Sequence, residues 1–280
     1  MKGVDISKYQ AKLTIAQIKE AGYEFAILRG GYSTYGIIRK KMIDKSFENF
    51  YKQAKKIGFP VGCYYYSTAK TMAEGEAEAQ FFYKNCLQGK QFEMPIYIDV
   101  EDNNWQSHDK KGVTDAIIGF CNYLESKNYY VGVYASLSWF NTKIDVSRLN
   151  HYTKWVAKWV VGANSKPSVS FSAFDMWQYT DNGHIAGHQV DVNQVYIDFP
   201  TIIKKAGKNG FIDGSTSKPQ ETAPQKQSEQ SNVARIHVVK AGETLSGIAY
   251  MYSTTVDSLM RKNTFIKDKN KIYAGQVLKI

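Results

Sequence analysis

Short apolar runs alternate with amphipathic stretches along the first three quarters of the chain. Runs of four to eight residues rich in Val, Ile, Tyr and Phe are typical of strands buried on both faces. We predict strands over residues 3–7, 25–32, 61–67, 95–101, 129–136, 154–161, 174–180 and 190–196. Strands that alternate with helical patterns in this number predict an α/β fold, namely a TIM-like (β/α) barrel of eight mostly parallel strands.

Helical signals lie between the early strands. Thr14 and Gln17 form a capping box at the start of one helix, and Gly22 ends it. A second helix is predicted from apolar residues spaced three and four apart, with Gly58 as its stop. The apolar faces of the second and third helices comprise Phe47, Phe50, Tyr51, Ala54 and Ile57, and Ile117, Phe120, Cys121 and Leu124.

The connection between the last two predicted strands is different. Residues 181–188 are too few and too rich in Gly for a crossover helix. We therefore expect a hairpin turn there, which makes one late strand antiparallel. The predicted barrel is irregular, with incomplete late helices.

The composition changes after residue 210. Residues 215–231 contain Ser, Thr, Gln, Lys, Pro and Glu without an apolar period, which is typical of a flexible linker. Ordered patterns return from Ile236 onward as a strand, two helices and a final strand. We predict a barrel domain over residues 1–210, a linker over 211–235 and a small βααβ domain over 236–280.

Composition narrows the possible partners. The chain of 280 residues carries a net charge of +10, and its basic residues are dispersed. A nucleic-acid-binding protein would more typically show a clustered basic stripe, so we expect attraction to an anionic polymer such as a bacterial wall and no nucleic-acid partner. No apolar run is long enough to span a bilayer, so stable membrane insertion is not expected. The three cysteines lack metal-ligand spacing, so we expect them reduced and unpaired.

Candidate chemistry is concentrated where the predicted strands end. In parallel barrels, polar residues at the carboxyl ends of strands line the active site. These positions hold Asp5, Arg29, Tyr32, Tyr64, Tyr66, Asp99, Glu101, Tyr134, Trp159, Trp177, Tyr179 and Asp191.

Asp99 and Glu101 are the most informative pair. Positions i and i+2 of a strand share one face, so both acids are expected to point into the barrel. Two like charges this close raise the pKa of one of them, and an acid with a raised pKa can protonate a glycosidic oxygen. The alternative to a catalytic role is that both acids form structural ion pairs with Arg or Lys at the barrel rim.

Several motifs resemble one family. They are GVDISKYQ at residues 3–10, GCYYY at 62–66, IDVE at 98–101, WQY at 177–179 and VDVN at 190–193. Together they resemble glycoside hydrolase family 25, the Chalaropsis-type muramidases common among phage endolysins and bacterial autolysins. One position departs from the family pattern, because Tyr65 stands where His is frequent.

The resemblance implies cleavage of the β-1,4 bond between N-acetylmuramic acid and N-acetylglucosamine, without a cofactor or metal. It assigns Glu101 as proton donor and Asp99 as the stabilising or orienting carboxylate. The nucleophile stays open, because the substrate acetamido group can take that role. Asp5 and Asp191 match the family's two other acids and complete the expected catalytic set. The candidate substrate contacts at the strand ends are Tyr64, Tyr66, Tyr134, Trp177, Arg29 and Tyr32.

The C-terminal segment resembles a lysin motif (LysM) domain through GETLSGIA at residues 242–249 and IYAGQVL at 272–278. The resemblance implies binding of glycans that contain N-acetylglucosamine, so the expected partner is the peptidoglycan glycan strand. A single copy would hold the enzyme near the wall by tethering. The glycan contacts that the resemblance implies are Gly242, Glu243, Thr244, Leu245, Thr264, Phe265 and Ile266.

Other functions fit the sequence less well. A metallopeptidase would need ligands at coordination spacing, and His184 and His188 lie in a turn rather than on a helix. A Cys–His peptidase built on Cys63 lacks an orienting His context. A chitinase would need a longer acidic motif than the one at residues 99–101. The alternative function is a non-catalytic or chitin-directed protein that binds wall glycans.

The amino terminus lacks a signal-peptide core. We therefore expect synthesis in the host cytoplasm and action on the wall after holin-dependent release or lysis. This expectation favours a phage endolysin over a host autolysin.

Overall fold

The structure is a computed structural model. It describes residues 1–36, 39–102, 110–159, 174–211, 236–239, 244–252, 254–269, 271–273 and 276–280. These residues belong to two compact units, one within residues 1–216 and one within residues 217–280.

The first unit is a closed barrel. Its strands are β1 (Lys2–Ile6), β2 (Phe25–Ser33), β3 (Lys41–Ile43), β4 (Val61–Tyr66), β5 (Ile96–Asp99), β6 (Val131–Ser136), β7 (Thr153–Ala157), β8 (Met176–Ile185) and β9 (His188–Val195). They pair in the order β1-β9-β8-β7-β6-β5-β4-β2, and β1 pairs again with β2 to close the barrel. β9 is antiparallel to both of its neighbours, and the other barrel pairs are parallel. The prediction of an irregular eight-stranded barrel is confirmed.

Two details differ from the sequence prediction. The late hairpin is present, but β8 and β9 extend through most of residues 181–188, and Ala186 and Gly187 alone form the turn. Both have positive φ (48° and 78°), as a two-residue hairpin turn of the type I′ kind requires. The short strand β3, which pairs antiparallel with β2 outside the barrel ring, was not predicted.

Helices cover the outside of the barrel. They are α1 (Ile15–Glu20), α2 (Phe47–Lys56), α3 (Met72–Phe82), α4 (Lys110–Ser126), α5 (Leu137–Thr142) and α6 (Phe199–Lys205). The capping box of Thr14 and Gln17 begins α1 as predicted. α3 was not predicted; it packs closely on α4, where a Cβ on Gly75 would overlap Ala116 and one on Gly119 would overlap Met72. Glycine is therefore required at this helix crossing.

Alternation along the strands creates two apolar layers. One side of each strand packs on the helices, as Ile96 and Ile98 do, and the other side faces the barrel interior, as Tyr97 does. Asp99 has the same parity as Tyr97, so the end of β5 delivers a carboxyl group to the interior. β5 ends at Asp99 rather than at the predicted residue 101.

The three cysteines are free and buried, as predicted. Cys63 packs under the helices, and burial raises the pKa of its thiol well above the ordinary value. A protonated thiol without solvent access is a poor nucleophile, which argues against the Cys–His peptidase.

The second unit is the predicted βααβ arrangement: β10 (Ile236–Val238), α7 (Leu245–Met251), α8 (Val256–Lys262) and β11 (Val277–Lys279). β10 and β11 pair antiparallel. Buried Asn263 joins the elements, because its amide contacts the Leu259 carbonyl and both backbone polar groups of Lys279. The predicted linker at 211–235 lies almost entirely outside the described residues, and the domain boundaries stay predictions.

Candidate active site

Four carboxyl groups converge at the carboxyl end of the barrel. Asp5 lies on β1, Asp99 ends β5, Glu101 follows two residues later, and Asp191 lies on β9. Asp5 and Asp191 are direct cross-strand partners. The charge of each acid influences others of the group, so the structure brings together the four acids predicted from the sequence.

Asp5 and Asp191 form a hydrogen-bonded carboxyl pair. Burial is the main cause that raises both pKa values. Hydrogen bonds from Asn193 and Gln178 oppose this effect at Asp5. The pKa of Asp191 rises to about 9, since the neighbouring Asp5 charge adds to burial. The pair therefore holds a proton at neutral pH.

Asp99 is the most deeply placed acid of the group. Its side chain is 3% exposed, and no described residue donates a hydrogen bond to its Oδ1. Burial raises its pKa well above the ordinary value, and the charges of Glu101 and Asp5 act in the same direction. An unfilled acceptor in a buried position is costly, so this oxygen is poised to accept a donor from a bound ligand.

Glu101 lies at the mouth and is exposed to solvent. Protein atoms crowd its carboxyl group nonetheless, and the resulting loss of hydration raises its pKa, with the Asp5 charge adding to the effect. A hydrogen bond with the Tyr134 hydroxyl acts in the opposite direction. Glu101 thus combines solvent access with a tendency to stay protonated, which are the two requirements of a general acid.

Aromatic rings pack beneath the acids. The rings of Tyr134 and Trp155 lie 4.4 Å apart between centroids, and Tyr64 meets Trp155 edge-on at 6.2 Å. The Tyr66 hydroxyl lies 2.8 Å from that of Tyr35. Tyr64 and Tyr134 lie next to the four acids. Burial is the main cause that raises the pKa values of both phenols, and the charges of the acids raise them further. The predicted contacts Tyr64, Tyr66 and Tyr134 therefore lie in the mouth.

Arg29 and Tyr32 form a separate cluster at the edge of the mouth. The Arg29 guanidinium is paired with Asp44 at 2.8 Å and lies over the rings of Tyr9 and Tyr32. The Lys8 ammonium lies 5.0 Å from the Tyr32 ring centroid. Arg29 also acts on Asp99 as an opposing charge that lowers its pKa.

Trp177 is not brought to the acids. It is 4% exposed, it belongs to the apolar layer between sheet and helices, and its indole N–H donates to the Lys158 carbonyl. Adjacent residues of a strand point to opposite faces, so the inward position is Gln178 instead. The exposed indole beside Gln178 is that of Trp159, which is 57% exposed and donates to Gln178 Oε1.

Sequence reasoning overlooked Gln178 and Asn193. Both amides are buried and donate to Asp5 Oδ2, at 3.0 and 2.8 Å. Gln178 is the middle residue of the WQY motif, and Asn193 is the last residue of VDVN, two positions after Asp191. The alternation of a strand from Asp191 would have placed Asn193 on the same inward face.

Tyr65, where the family often has His, lies away from the acids. It is fully buried, and its hydroxyl lies 2.9 Å from Ser33 Oγ, which donates to Glu78. Tyr65 therefore belongs to the packing layer of the barrel.

In the second unit, Thr244 caps α7 by accepting from the Gly247 N–H. The side chains of Leu245 and Ile266 are buried in the small core and are withdrawn from a ligand. Thr264 and Phe265 are exposed, Phe265 by 56%. The predicted contacts Gly242 and Glu243 lie outside the described residues.

Two further findings concern metal binding and membrane-spanning helices. Within the described ranges, no three His, Cys, Asp or Glu side chains are grouped so as to hold a metal ion. None of the helices described is both long and apolar enough to cross a bilayer.

The model of glycosyl hydrolases family 25 matches residues 4–188, and the LysM domain model matches residues 237–280. The chain belongs to glycosyl hydrolases family 25. It also contains a LysM domain. Both resemblances inferred from the motifs are confirmed. The first match spans Asp5, Asp99 and Glu101 but ends before Asp191.

Two curated relatives are similar to this family 25 chain. Lysozyme M1 of Streptomyces globisporus is 26% identical over 203 residues, which are 69% of this chain and 66% of that protein. The endolysin of Bacillus phage B103 is 52% identical over 42 residues, which are 15% of this chain and 16% of that protein. The chain thus spans just under two thirds of the first relative and a small part of the second.

Solved structures share the barrel. The bacterial lysozyme from Streptomyces coelicolor is 26% identical with a TM-score of 0.60, over 71% of this chain and 93% of that one. The catalytic domain of endolysin ply40, from a Listeria monocytogenes phage, is 27% identical with a TM-score of 0.55, over 72% and 95%.

Proposed function

We propose that this family 25 chain is a peptidoglycan hydrolase that cleaves the β-1,4 bond between N-acetylmuramic acid and N-acetylglucosamine. The observation that carries the proposal is the pairing of an exposed acid of raised pKa, Glu101, with a buried acid, Asp99, whose Oδ1 accepts no hydrogen bond from the described residues. The lysozyme and endolysin names of the relatives support the same substrate.

Glu101 is the general acid in this proposal. It gives its proton to the glycosidic oxygen as the bond to the leaving sugar breaks. Once the leaving sugar has departed, the Glu101 carboxylate takes a proton from the attacking water, which restores the starting state. Crowding at the mouth and the Asp5 charge raise the pKa of Glu101 and so favour its protonated form before the reaction.

Asp99 is the stabilising and orienting carboxylate. Its open Oδ1 is suited to accept the N–H of the substrate acetamido group, which turns the acetamido oxygen toward the anomeric carbon. The positive charge that develops on the reacting sugar lowers the pKa of Asp99 and favours its ionised form, which stabilises that charge electrostatically. Substrate assistance of this kind fits a buried carboxyl group better than direct attack does.

The LysM domain is proposed to bind the glycan strand and to raise the local concentration of the barrel at the wall. The exposed Thr264 and Phe265 are its candidate contacts. Endolysins of a Bacillus phage and of a Listeria phage are among the similar proteins, which supports a phage endolysin that acts on the wall after lysis or release.

Mass spectrometry of digested peptidoglycan tests the proposal. We expect the full chain to release fragments with new reducing ends at N-acetylmuramic acid, and Glu101→Gln to release none. Glu76→Gln is the matched control, because Glu76 lies on the outer helix α3 and is exposed. New ends at N-acetylglucosamine, chito-oligosaccharides from chitin, or full digestion by Glu101→Gln would contradict it.

A further inference from the structure

The carboxyl group of Asp5 is held by two buried amides that the proposed reaction does not use. Gln178 Nε2 and Asn193 Nδ2 both donate to the same oxygen, Asp5 Oδ2, at 3.0 and 2.8 Å. Both side chains are almost fully buried. Two amide donors on one oxygen is a specific arrangement, because a buried amide could equally have presented its carbonyl oxygen to a carboxylic acid proton.

Two indoles determine which way the amides face. Trp155 Nε1 donates to Asn193 Oδ1 at 2.8 Å, and Trp159 Nε1 donates to Gln178 Oε1 at 3.1 Å. The Tyr134 hydroxyl also donates to Gln178 Oε1, at 2.9 Å. An indole N–H is a donor that cannot accept, so each amide must turn its oxygen toward its tryptophan. The NH₂ group of each amide is thereby directed at Asp5.

This orientation restricts where a proton can reside. Asp5 Oδ2 is occupied by two N–H groups, so a carboxyl proton is excluded from it. Asp5 also shares a hydrogen bond with Asp191, its cross-strand partner, and two adjacent carboxylates resist joint ionisation. A single proton is therefore held between Asp191 and the other oxygen of Asp5, and the amide donors favour charge on Asp5.

We propose that Gln178 and Asn193 are positioning residues that keep Asp5 as the charged member of the Asp5–Asp191 pair and Asp191 as the protonated member. The inference rests on the proposed function in one respect, since the fixed charge on Asp5 matters for catalysis by holding the proton on Glu101. The raised pKa of Asp191, about 9, agrees with this assignment.

Other groups facing the acids must be held constant in a test. They are Asp99 on β5, Arg29 on β2, Tyr64 on β4, Tyr134 on β6 and Asp181 on β8. Single substitutions at the pair or at Asn193 leave all of these groups in place, whereas Gln178 also holds the Tyr134 hydroxyl.

Carbon-13 NMR of the Glu101 carboxyl group in the full chain measures the result without hydrolysis. The chain is labelled at the glutamate side-chain carboxyl, and Glu101→Gln identifies the signal. We expect Asp5→Asn to lower the pKa of Glu101 by about one unit, because it removes a charge. Asp191→Asn replaces a neutral acid by a neutral amide and should change the pKa by only about 0.3 units or less. The opposite order, with the larger shift from Asp191→Asn, would overturn the proposal.

Asn193→Leu tests the amide itself at nearly constant volume, and it leaves the Tyr134–Gln178 hydrogen bond in place. We expect it to lower the pKa of Glu101 by about half a unit, because charge on Asp5 loses a donor. Gln194→Met is the control on the same hairpin, where the side chain contacts a backbone carbonyl rather than an acid, and no shift is expected. An unchanged Glu101 pKa in Asn193→Leu, at an unchanged melting temperature, would also refute the proposal.

The two proposals fail separately in these experiments. Ordered pKa shifts in a protein that leaves peptidoglycan intact would refute the proposed function and support the charge assignment. Cleavage by a protein whose shifts follow the reverse order would refute the assignment alone.

Discussion

Glu78 and Asp99 are both buried acids that face residues at the carboxyl ends of the strands, yet their surroundings differ. Glu78 accepts from Ser33 Oγ and the Thr68 N–H at Oε1, and from Ser67 Oγ at Oε2. Asp99 faces three other acids, and its Oδ1 accepts from none of the described residues. Burial raises the pKa of each, but hydrogen bonds oppose this at Glu78, whereas like charges reinforce it at Asp99.

The difference in hydrogen-bond partners distinguishes Glu78, a structural acid, from Asp99, a candidate catalytic acid. Donors that fill both oxygens stabilise a buried carboxylate and tie β2, β4 and α3 together. Like charges and an open acceptor cost stability and leave binding capacity for a substrate. A raised pKa alone would not have distinguished the two groups, whereas the hydrogen-bond partners do.

The largest expected effect is on catalysis. Asp99→Asn should lower kcat/KM on peptidoglycan by about 100- to 1000-fold, because it removes charge stabilisation at the reacting sugar. Glu78→Gln should stay within about threefold of the unsubstituted chain when assayed well below its melting temperature. Steady-state assays of both variants check this, and equal losses would remove the distinction.

The next effect is on folding. Glu78→Gln turns one acceptor oxygen into an NH₂ group that faces a donor, which should cost about 1–3 kcal/mol of the free energy of unfolding. Urea unfolding followed by circular dichroism measures it. Glu76→Gln on the same helix is the control and should change stability by at most about 0.5 kcal/mol. A neutral Glu78→Gln would mean that its donors find other partners.

Asp99→Asn should instead increase the free energy of unfolding. The pKa of Asp99 is higher in the folded chain than in the unfolded chain. The free energy of unfolding therefore falls as the pH rises above about 4, the pKa of an unfolded Asp. Removing the acid should therefore stabilise the chain by about 1 kcal/mol at pH 7 and by almost nothing at pH 3. Melting temperatures at both pH values test this, and a loss of stability at pH 7 would contradict it.

The smallest expected effect concerns Tyr65. Tyr65→Phe removes the hydroxyl that contacts Ser33 Oγ, and should cost about 0.5–1.5 kcal/mol of unfolding free energy while kcat/KM is unchanged. Tyr66→Phe is the control for stability alone, because its hydroxyl contacts Tyr35 at the exposed mouth, and it should cost at most about 0.5 kcal/mol of unfolding free energy. A large catalytic defect in Tyr65→Phe would place Tyr65 with the mouth acids.

Features that depend on neighbours in the chain could be predicted. The apolar runs predicted the barrel strands, and the capping box of Thr14 and Gln17 predicted the start of α1, because both signals are local. The i and i+2 spacing predicted that Asp99 and Glu101 share the mouth. Helix α3 was overlooked because it packs through Gly75 and buries Glu78, so its sequence lacks a clear apolar face.

The sequence by itself determined the residue types, the element periods and the two family motifs. The tertiary structure alone decided which face of β8 enters the barrel, and so exchanged the expected Trp177 for Gln178. A shift of one residue reverses every side chain of a strand, and local pattern cannot set that register. The contact of Asp5 with Gln178 joins residues 173 positions apart, so only closure of the barrel brings the amide to the acid.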